Sequence, residues 1–206
     1  MILPRPRRPH LLRGPHLPAP VLAPVLRTPR LVLRPHRMSD APTWLRIESD
    51  PTIRESLHWP ARDRRRMLTH LRHRTRKTIL WHTNDFLALA VERDGEIIGD
   101  VSMHLRGVAP EARSVEVGWL QLPEHRGHGY ATEAASALLD FAFDEVGARR
   151  ATAVIDEDNA RSIALAERLG FVRMGGPDQG TLTFGLDAAT WNQGRSSRRN
   201  STFSSC

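Results

Sequence analysis

The middle of the chain alternates between two kinds of hydrophobic spacing. Across residues 114–122, apolar residues alternate with polar or small ones, which is the two-residue period of a strand. Residues 132–146 instead place apolar side chains at the spacing of a helix that buries one face. A strand over 151–155 follows, so the unit is predicted to hold its two strands parallel.

The same analysis extends over most of the chain and predicts an α/β fold. Residues 86–92 and 96–104 are predicted to form a hairpin around Asp94-Gly95, a strong turn signal. Further strands are predicted at residues 31–33 and 180–186, and further helices begin at Ser39 or Asp40, run over 63–76, and run from Asn159 to Gly170.

The two ends of the chain differ in composition from the middle. Residues 1–26 are rich in Pro, Arg and Leu, and prolines at this density oppose both helix and sheet pairing, so a disordered extension is predicted. Residues 192–206 are rich in Ser and Arg and are predicted to form a disordered tail. One folded domain is therefore expected over residues 27–191.

Charge follows the same division. The chain carries a formal net charge of +7, yet residues 1–42 alone contribute +7 and residues 193–206 contribute +3, which leaves −3 for residues 43–192. The basic character belongs to the ends, so no nucleic-acid surface is expected on the folded core.

Cys206 is the sole cysteine, which excludes an intrachain disulfide and a cysteine metal site and makes a cytoplasmic protein the default expectation. The histidines show no HExxH pattern, so no metal is expected. No apolar run approaches the ~18 residues of a membrane span, so no membrane association is expected.

The turn after the 114–122 strand carries the candidate chemistry and reads Arg126-Gly127-His128-Gly129-Tyr130-Ala131-Thr132. Its glycines can adopt left-handed backbone angles and let a ligand approach the amides. The first amides of the following helix lack intrahelical partners and lie at the positive end of its dipole. Strand, turn and helix together predict a phosphate or pyrophosphate site, although the spacing matches neither a P-loop nor a dinucleotide fingerprint.

The spacing Arg126-x-x-Gly129-x-Ala131 resembles the Arg/Gln-x-x-Gly-x-Gly/Ala signature of the GCN5-related N-acetyltransferase (GNAT) family. Two more segments resemble that family: Asn159-Ala160-Arg161-Ser162 with the later Leu169-Gly170-Phe171, and Arg27-Thr28-Pro29-Arg30-Leu31-Val32-Leu33-Arg34-Pro35, which is similar to the first strand of the branch that acetylates N-termini of ribosomal proteins. The resemblance implies a mixed, strongly twisted sheet of about six to seven strands with helices on both faces.

The resemblance also implies that acetyl-CoA is the co-substrate, and it indicates which residues would bind each part of that molecule. Its pantetheine arm is expected beside the backbone of Leu120 and Leu122. Asn159 is expected to cap its helix and to contact the same arm. The pyrophosphate is expected on Arg126, Gly127, His128, Gly129, Tyr130, Ala131 and Thr132.

Two residues are the candidates for proton transfer. Ser162 is expected to protonate the CoA thiolate, because Ala166 stands where the family more often has a tyrosine. Glu116 is the candidate base, acting through water. Each also fits an ordinary structural role, Ser162 as a third helix residue and Glu116 as an exposed strand residue. The resemblance implies direct attack by the amine in a ternary complex, and the absence of a cysteine from the predicted fold supports this route.

The predicted activity is acetyl transfer to a primary amine, with a protein N-terminal α-amine as one candidate acceptor. A small-molecule amine (an antibiotic, a polyamine or an amino acid) is an alternative within the same class. A catalytically silent acyl-CoA sensor is the alternative from another class. The protein is expected to be a monomer or a homodimer.

Overall fold

The computed structural model describes residues 14–203, with side chains as far as residue 196. The strands in chain order are β1 His16–Leu22, β2 Leu26–Arg27, β3 Val32–Pro35, β4 Ile79–His82, β5 Phe86–Arg93, β6 Glu96–Gly107, β7 Ser114–Gln121, β8 Arg150–Asp156, β9 Val172–Arg173 and β10 Thr181–Asp187. The α-helices are α1 Ala41–Ser49, α2 Pro51–Ser56, α3 Arg64–Thr75, α4 Tyr130–Asp140, α5 Ala160–Leu169 and α6 Ala188–Phe203, and a π-helical turn, Phe141–Glu145, continues α4.

The main sheet has eight strands in the order β2-β3-β5-β6-β7-β8-β10-β9. Its β7 and β8 strands run parallel, as the strand–helix–strand order predicts, and the other described pairs are antiparallel. The predicted α/β fold is confirmed. The count exceeds the expected six to seven strands because β2 and β9, of two residues each, extend the two edges.

Helices cover both faces of this sheet. Val115 and Val117 of β7 belong to the main core together with Leu138 of α4. Leu120, on the opposite face of β7, packs against a second cluster that includes Trp44 of α1. The period-two alternation of β7 therefore places the two hydrophobic clusters on opposite faces of the sheet.

The N-terminal segment corrects the predicted disorder of residues 1–26. Residues 1–13 lie outside the described part of the chain, but β1 pairs antiparallel with β4 and buries Leu17 to 2% exposure. Prolines are tolerated because β1 lies at an edge and its register shifts between His16 and Val21, where Pro18 and Pro20 stand. The folded unit therefore begins before residue 27.

The C-terminal segment corrects the predicted disorder of residues 192–206. Helix α6 continues through residue 203, and residues 204–206 lie outside the described part. Trp191 is 2% exposed, and its indole N–H donates to Asp140 at 2.9 Å. Arg195 forms ion pairs with Asp140 and Asp144 at 3.0 and 2.6 Å. These contacts with α4 and the π-helical turn stabilise a helix that composition alone did not indicate.

Candidate active site

A cleft lies where β7 and β8 separate. The two strands pair only over three residues each, Ser114 to Glu116 with Arg150 to Thr152. Beyond that point the facing edges diverge and leave a cleft of about 850 Å³. Its walls come from α2, the end of β7, the loop before α4, the first turn of α4, and α5. The volume falls in the range typical of small-molecule sites.

The glycine loop adopts the conformation that an anion site needs. Gly127 and Gly129 both have left-handed backbone, with φ of +82° and +78°. Gly129 is the N-cap of α4, and no side chain caps the helix. The first amides of α4 are therefore left to an external acceptor. Gly127, Gly129, Ala131 and Thr132 line the cleft.

The other two residues of the predicted loop site point elsewhere. The rings of His128 and Tyr130 stack on each other, with centroids 5.5 Å apart and planes at 12°. Tyr130 is 5% exposed, and neither residue lines the cleft. The side chains of these two residues therefore lie outside the cleft lining.

Arginines give the cleft its electrostatic character. Arg30, Arg126, Arg161 and Arg168 all line it. Burial lowers the pKa of Arg126, and the nearby positive charge of Arg161 lowers it further. Like charges held together in this way favour a polyanionic ligand, since the anion relieves their repulsion.

The backbone groups of Leu120 and Leu122, where the pantetheine arm was predicted, are directed away from the open edge of β7. The amide of Leu122 donates to the carbonyl of Ile98 in β6 at 3.0 Å, and its carbonyl accepts from His125. The carbonyl of Leu120 also points toward β6, since it lies 2.4 Å from where a Cβ on Gly99 would be. Backbone groups alternate along a strand, so Trp119 and Gln121 direct theirs toward the open edge. Side-chain patterning alone does not reveal which strand edge remains unpaired.

Asn159 and Ser162 meet at the start of α5, on the wall of the cleft. The predicted cap is confirmed, because the Asn159 side-chain oxygen accepts from the Ser162 amide at 3.1 Å. The indole N–H of Trp119 donates to the Ser162 hydroxyl oxygen at 3.3 Å. Because an indole can only donate, this bond leaves the Ser162 O–H free to donate to another group.

Glu116 lies at the point where the strands part and does not line the cleft. Both of its carboxylate oxygens accept from Arg106 at 3.2 Å. His104 stands directly opposite on β6. Burial lowers the pKa of His104, and the charge of Arg106 lowers it further, so this imidazole is neutral at neutral pH. His104 is thus a second group here able to accept a proton.

Several cleft residues lie outside the sequence prediction. Arg30 belongs to the segment before β3, which no local pattern connects to the loop before α4. Trp119 lies within the predicted strand 114–122, but its bond to Ser162 of α5 and its place in the cleft lining were not predicted. Arg168 donates to the Thr132 hydroxyl oxygen at 3.4 Å, which leaves the Thr132 O–H free to donate to another group.

Within residues 14–203, no group of three or more His, Cys, Asp or Glu side chains is arranged to hold a metal ion. In the same part of the chain, no helix is both long and apolar enough to cross a bilayer.

Comparison with known proteins identifies relatives of this arrangement. A family model described as "Acetyltransferase (GNAT) domain" matches residues 30–172. The uncharacterised protein YkkB of Bacillus subtilis is 35% identical over 95 residues, 44% of this chain and 49% of the relative. The chain thus spans about half of that relative's length. The uncharacterised N-acetyltransferase p20 of Bacillus licheniformis is 28% identical over 157 residues, which is 73% of this chain and 83% of p20.

Solved structures share the fold. An acetyltransferase from Agrobacterium tumefaciens superposes with a TM-score of 0.62 at 29% identity, over 79% of this chain and 94% of the other. RimL, a ribosomal L7/L12 α-N-protein acetyltransferase solved with coenzyme A, gives 0.64 at 17% identity, over 81% and 98%. Spermidine N-acetyltransferase from Vibrio cholerae, solved with CoA and spermine, gives 0.66 at 20% identity, over 80% and 99%.

Proposed function

We propose that this chain, which belongs to the GNAT acetyltransferase family, transfers an acetyl group from acetyl-CoA to a primary amine by direct attack. The observation that carries the proposal is the cleft between β7 and β8. A glycine loop and uncapped helix amides form one part of its wall, and a Ser162 hydroxyl with a free proton forms another.

The chain offers a separate group for each part of the co-substrate. The amides of residues 127–132 and the side chain of Arg126 are suited to the pyrophosphate. The open backbone edge at Trp119 and Gln121 is suited to the amide groups of pantetheine, which would pair with it as an added strand does. Asn159 keeps its NH2 group for a pantetheine carbonyl, since its oxygen is engaged by the Ser162 amide.

The proposed reaction needs no covalent enzyme intermediate. The amine lone pair attacks the thioester carbonyl carbon, a C–N bond forms, and the C–S bond breaks to release the CoA thiolate. The Trp119 amide, on the open edge of β7, would donate to the carbonyl oxygen as negative charge develops there. One such donor is worth roughly 3 to 4 kcal/mol in other acyl-transfer enzymes.

Two proton transfers complete the reaction. Ser162 donates its proton to the thiolate and regains one from solvent, and the Trp119 N–H, which occupies the Ser162 oxygen, directs the Ser162 proton away from the indole. The ammonium formed by the attack loses a proton to water relayed toward Glu116 or His104. An α-amine, with a pKa near 8, is already partly neutral at neutral pH, so it places a smaller demand on a base than a lysine does.

The acceptor that the cleft favours is a single amine, and a protein N-terminal α-amine is the first candidate. Among the described residues that line the cleft, Glu133 is the one carboxylate, and Arg30 already neutralises it. A polyamine carries several positive charges, and the described lining offers no unpaired carboxylate to bind its further ammonium groups. RimL, whose title names a protein N-terminus, supports this choice by analogy of fold, while the spermidine enzyme keeps the small-molecule alternative in the test.

The test is a thiol-release assay with acetyl-CoA and three acceptors: a peptide with a free N-terminal alanine or serine, the same peptide with a blocked N-terminus, and spermidine. Release that depends on the free peptide amine supports the proposal. Release with spermidine alone would transfer the activity to small amines. Binding of acetyl-CoA without release for any amine would identify a silent acyl-CoA sensor.

Ser162→Ala then tests the proton donor. We expect kcat to fall by about 10² to 10⁴, the range for a lost general acid, with the acetyl-CoA dissociation constant little changed. The fold should persist, because the Asn159 cap bonds the backbone amide that alanine keeps. A wild-type rate in a single-turnover measurement would eliminate Ser162 as the acid. Glu116→Gln and His104→Gln, compared across pH, report which residue accepts the amine proton.

A further inference from the structure

A carboxylate stands beside the proposed pyrophosphate site. Glu133 lies in the first turn of α4 and lines the cleft. Burial opposes its ionisation, but hydrogen bonds from Thr28 and Arg30 outweigh burial and hold the pKa of the carboxyl below its usual range. A negative charge at that position repels a pyrophosphate unless another group neutralises it.

The neutralising group comes from the segment before β3. The Thr28 hydroxyl donates to one carboxylate oxygen of Glu133 at 2.6 Å. The Arg30 amide donates to the same oxygen at 3.0 Å, and the Arg30 Nε donates to the other at 2.6 Å. Three donors from a short stretch of chain therefore hold the Glu133 carboxylate in one orientation.

Arg30 also contacts the glycine loop itself. Its Nη1 donates to the carbonyl of His128 at 2.9 Å, and its guanidinium lies 4.6 Å from the centre of the Tyr130 ring. Its Nη2 lies 3.5 Å from where a Cβ on Gly129 would be. The Arg30 side chain is 47% exposed and forms part of the cleft wall. One guanidinium thus joins the helix, the loop and the cleft.

We propose that Thr28 and Arg30 are positioning residues for the phosphates of the acyl donor, acting through Glu133 and the His128 carbonyl. They turn the Glu133 carboxylate away from the helix amides and cancel its charge. Arg30 also holds the His128 carbonyl, which keeps the loop in its left-handed conformation with the amides free. This role rests on the proposed function. It gives a function to two residues of the Arg27–Pro35 segment, most of which lies outside the cleft lining.

The test compares Arg30→Met, Glu133→Gln and the double variant with two acyl donors, acetyl-CoA and S-acetylpantetheine, which lacks the phosphates. Arg30→Met should weaken acetyl-CoA binding by about ten-fold or more, since ten-fold corresponds to about 1.4 kcal/mol. Its kcat/KM with S-acetylpantetheine should stay within about two-fold of wild type. Adding Glu133→Gln should restore most of the lost affinity, because the unpaired carboxylate is then gone. High salt should reduce the Arg30→Met effect.

Arg93→Met is the matched control. The Arg93 guanidinium lies 4.9 Å from the same Tyr130 ring, but its ion pair is with Asp94 in the β5–β6 turn. The Arg93→Met variant should therefore bind acetyl-CoA with an affinity within about two-fold of wild type. Thermal unfolding of each variant reports whether the fold persists.

Three results would overturn the inference. Arg30→Met could leave acetyl-CoA affinity unchanged, it could impair both acyl donors equally, or the double variant could bind no better than Arg30→Met. If the wild-type protein binds no acetyl-CoA, the proposed function is refuted, and the role of Thr28 and Arg30 is refuted with it.

Discussion

Leu17 provides a direct test of the N-terminal strand. Leu17→Ala shortens a side chain that is 2% exposed in the main core. The backbone carbonyl of Leu17 accepts from the Trp81 indole at 3.1 Å, a contact that the substitution keeps. Leu22→Ala makes the same chemical change on the same strand, at a position that is 66% exposed. The pair separates burial from any general effect of altering β1.

The expected loss follows from the atoms removed. Leucine to alanine deletes three carbon groups, each worth about 0.8 kcal/mol of transfer free energy, or about 2.4 kcal/mol together. A residual cavity adds to this, and measured buried Leu→Ala changes reach about 2.7 to 5.0 kcal/mol. Because β1 lies at an edge and can relax, we expect a value near the lower end, about 2.5 to 3.5 kcal/mol. Leu22→Ala should cost less than about 0.5 kcal/mol.

Urea denaturation with a common m-value measures both losses in free energy of unfolding, and thermal unfolding checks them. For a chain of this size, each kcal/mol corresponds to about 2 to 4 °C, so Leu17→Ala should lower Tm by roughly 5 to 14 °C. Equal stability of the two variants would show that β1 does not pack on the core in solution, and the predicted disorder of residues 1–26 would then stand.

Three more predictions follow from the site and its surroundings. Acetyl-CoA at about 100 times its dissociation constant should add about 2.7 kcal/mol to the stability of the wild type and nothing to that of Gly129→Val, because valine resists the positive φ at this position. Gly175→Val is the control, since Gly175 also has a φ of +82° but lies outside the cleft lining, and this variant should keep the ligand effect. Equal ligand effects in the two variants would refute the loop assignment. Burial opposes ionisation of Asp40, but hydrogen bonds from Arg34 and the Arg37 amide, together with the His36 ring 3.6 Å away, hold the pKa of Asp40 well below the usual range. The stability gap between wild type and Asp40→Asn should therefore be full above about pH 5 and shrink as pH falls below about 4, and a gap independent of pH would contradict that network. Direct transfer predicts intersecting initial-velocity lines, and parallel lines would indicate an acetyl-enzyme.

Local spacing was enough to predict the elements that build the site. The alternation of residues 114–122, the glycines at 127 and 129, and the Asn159 cap each depend on a few neighbouring residues, whose backbone preferences and hydrogen bonds act within one turn or one strand. The structure has all three. The hairpin at Asp94-Gly95 followed from the same kind of local rule, and both turn residues adopt positive φ, +51° and +85°.

Contacts between distant segments decided the rest. Prolines and a Ser/Arg-rich composition predicted disorder at both ends, yet Leu17 and Trp191 are buried against the core, and the free energy of burying such side chains outweighs weak local preferences. Which backbone edge of β7 is open depended on its pairing with β6, so side-chain alternation could not distinguish Leu120 from Trp119. The contact of Arg30 with Glu133 joins segments 103 residues apart. No periodic pattern encodes such a pair, because only the tertiary fold brings the segment before β3 to the first turn of α4.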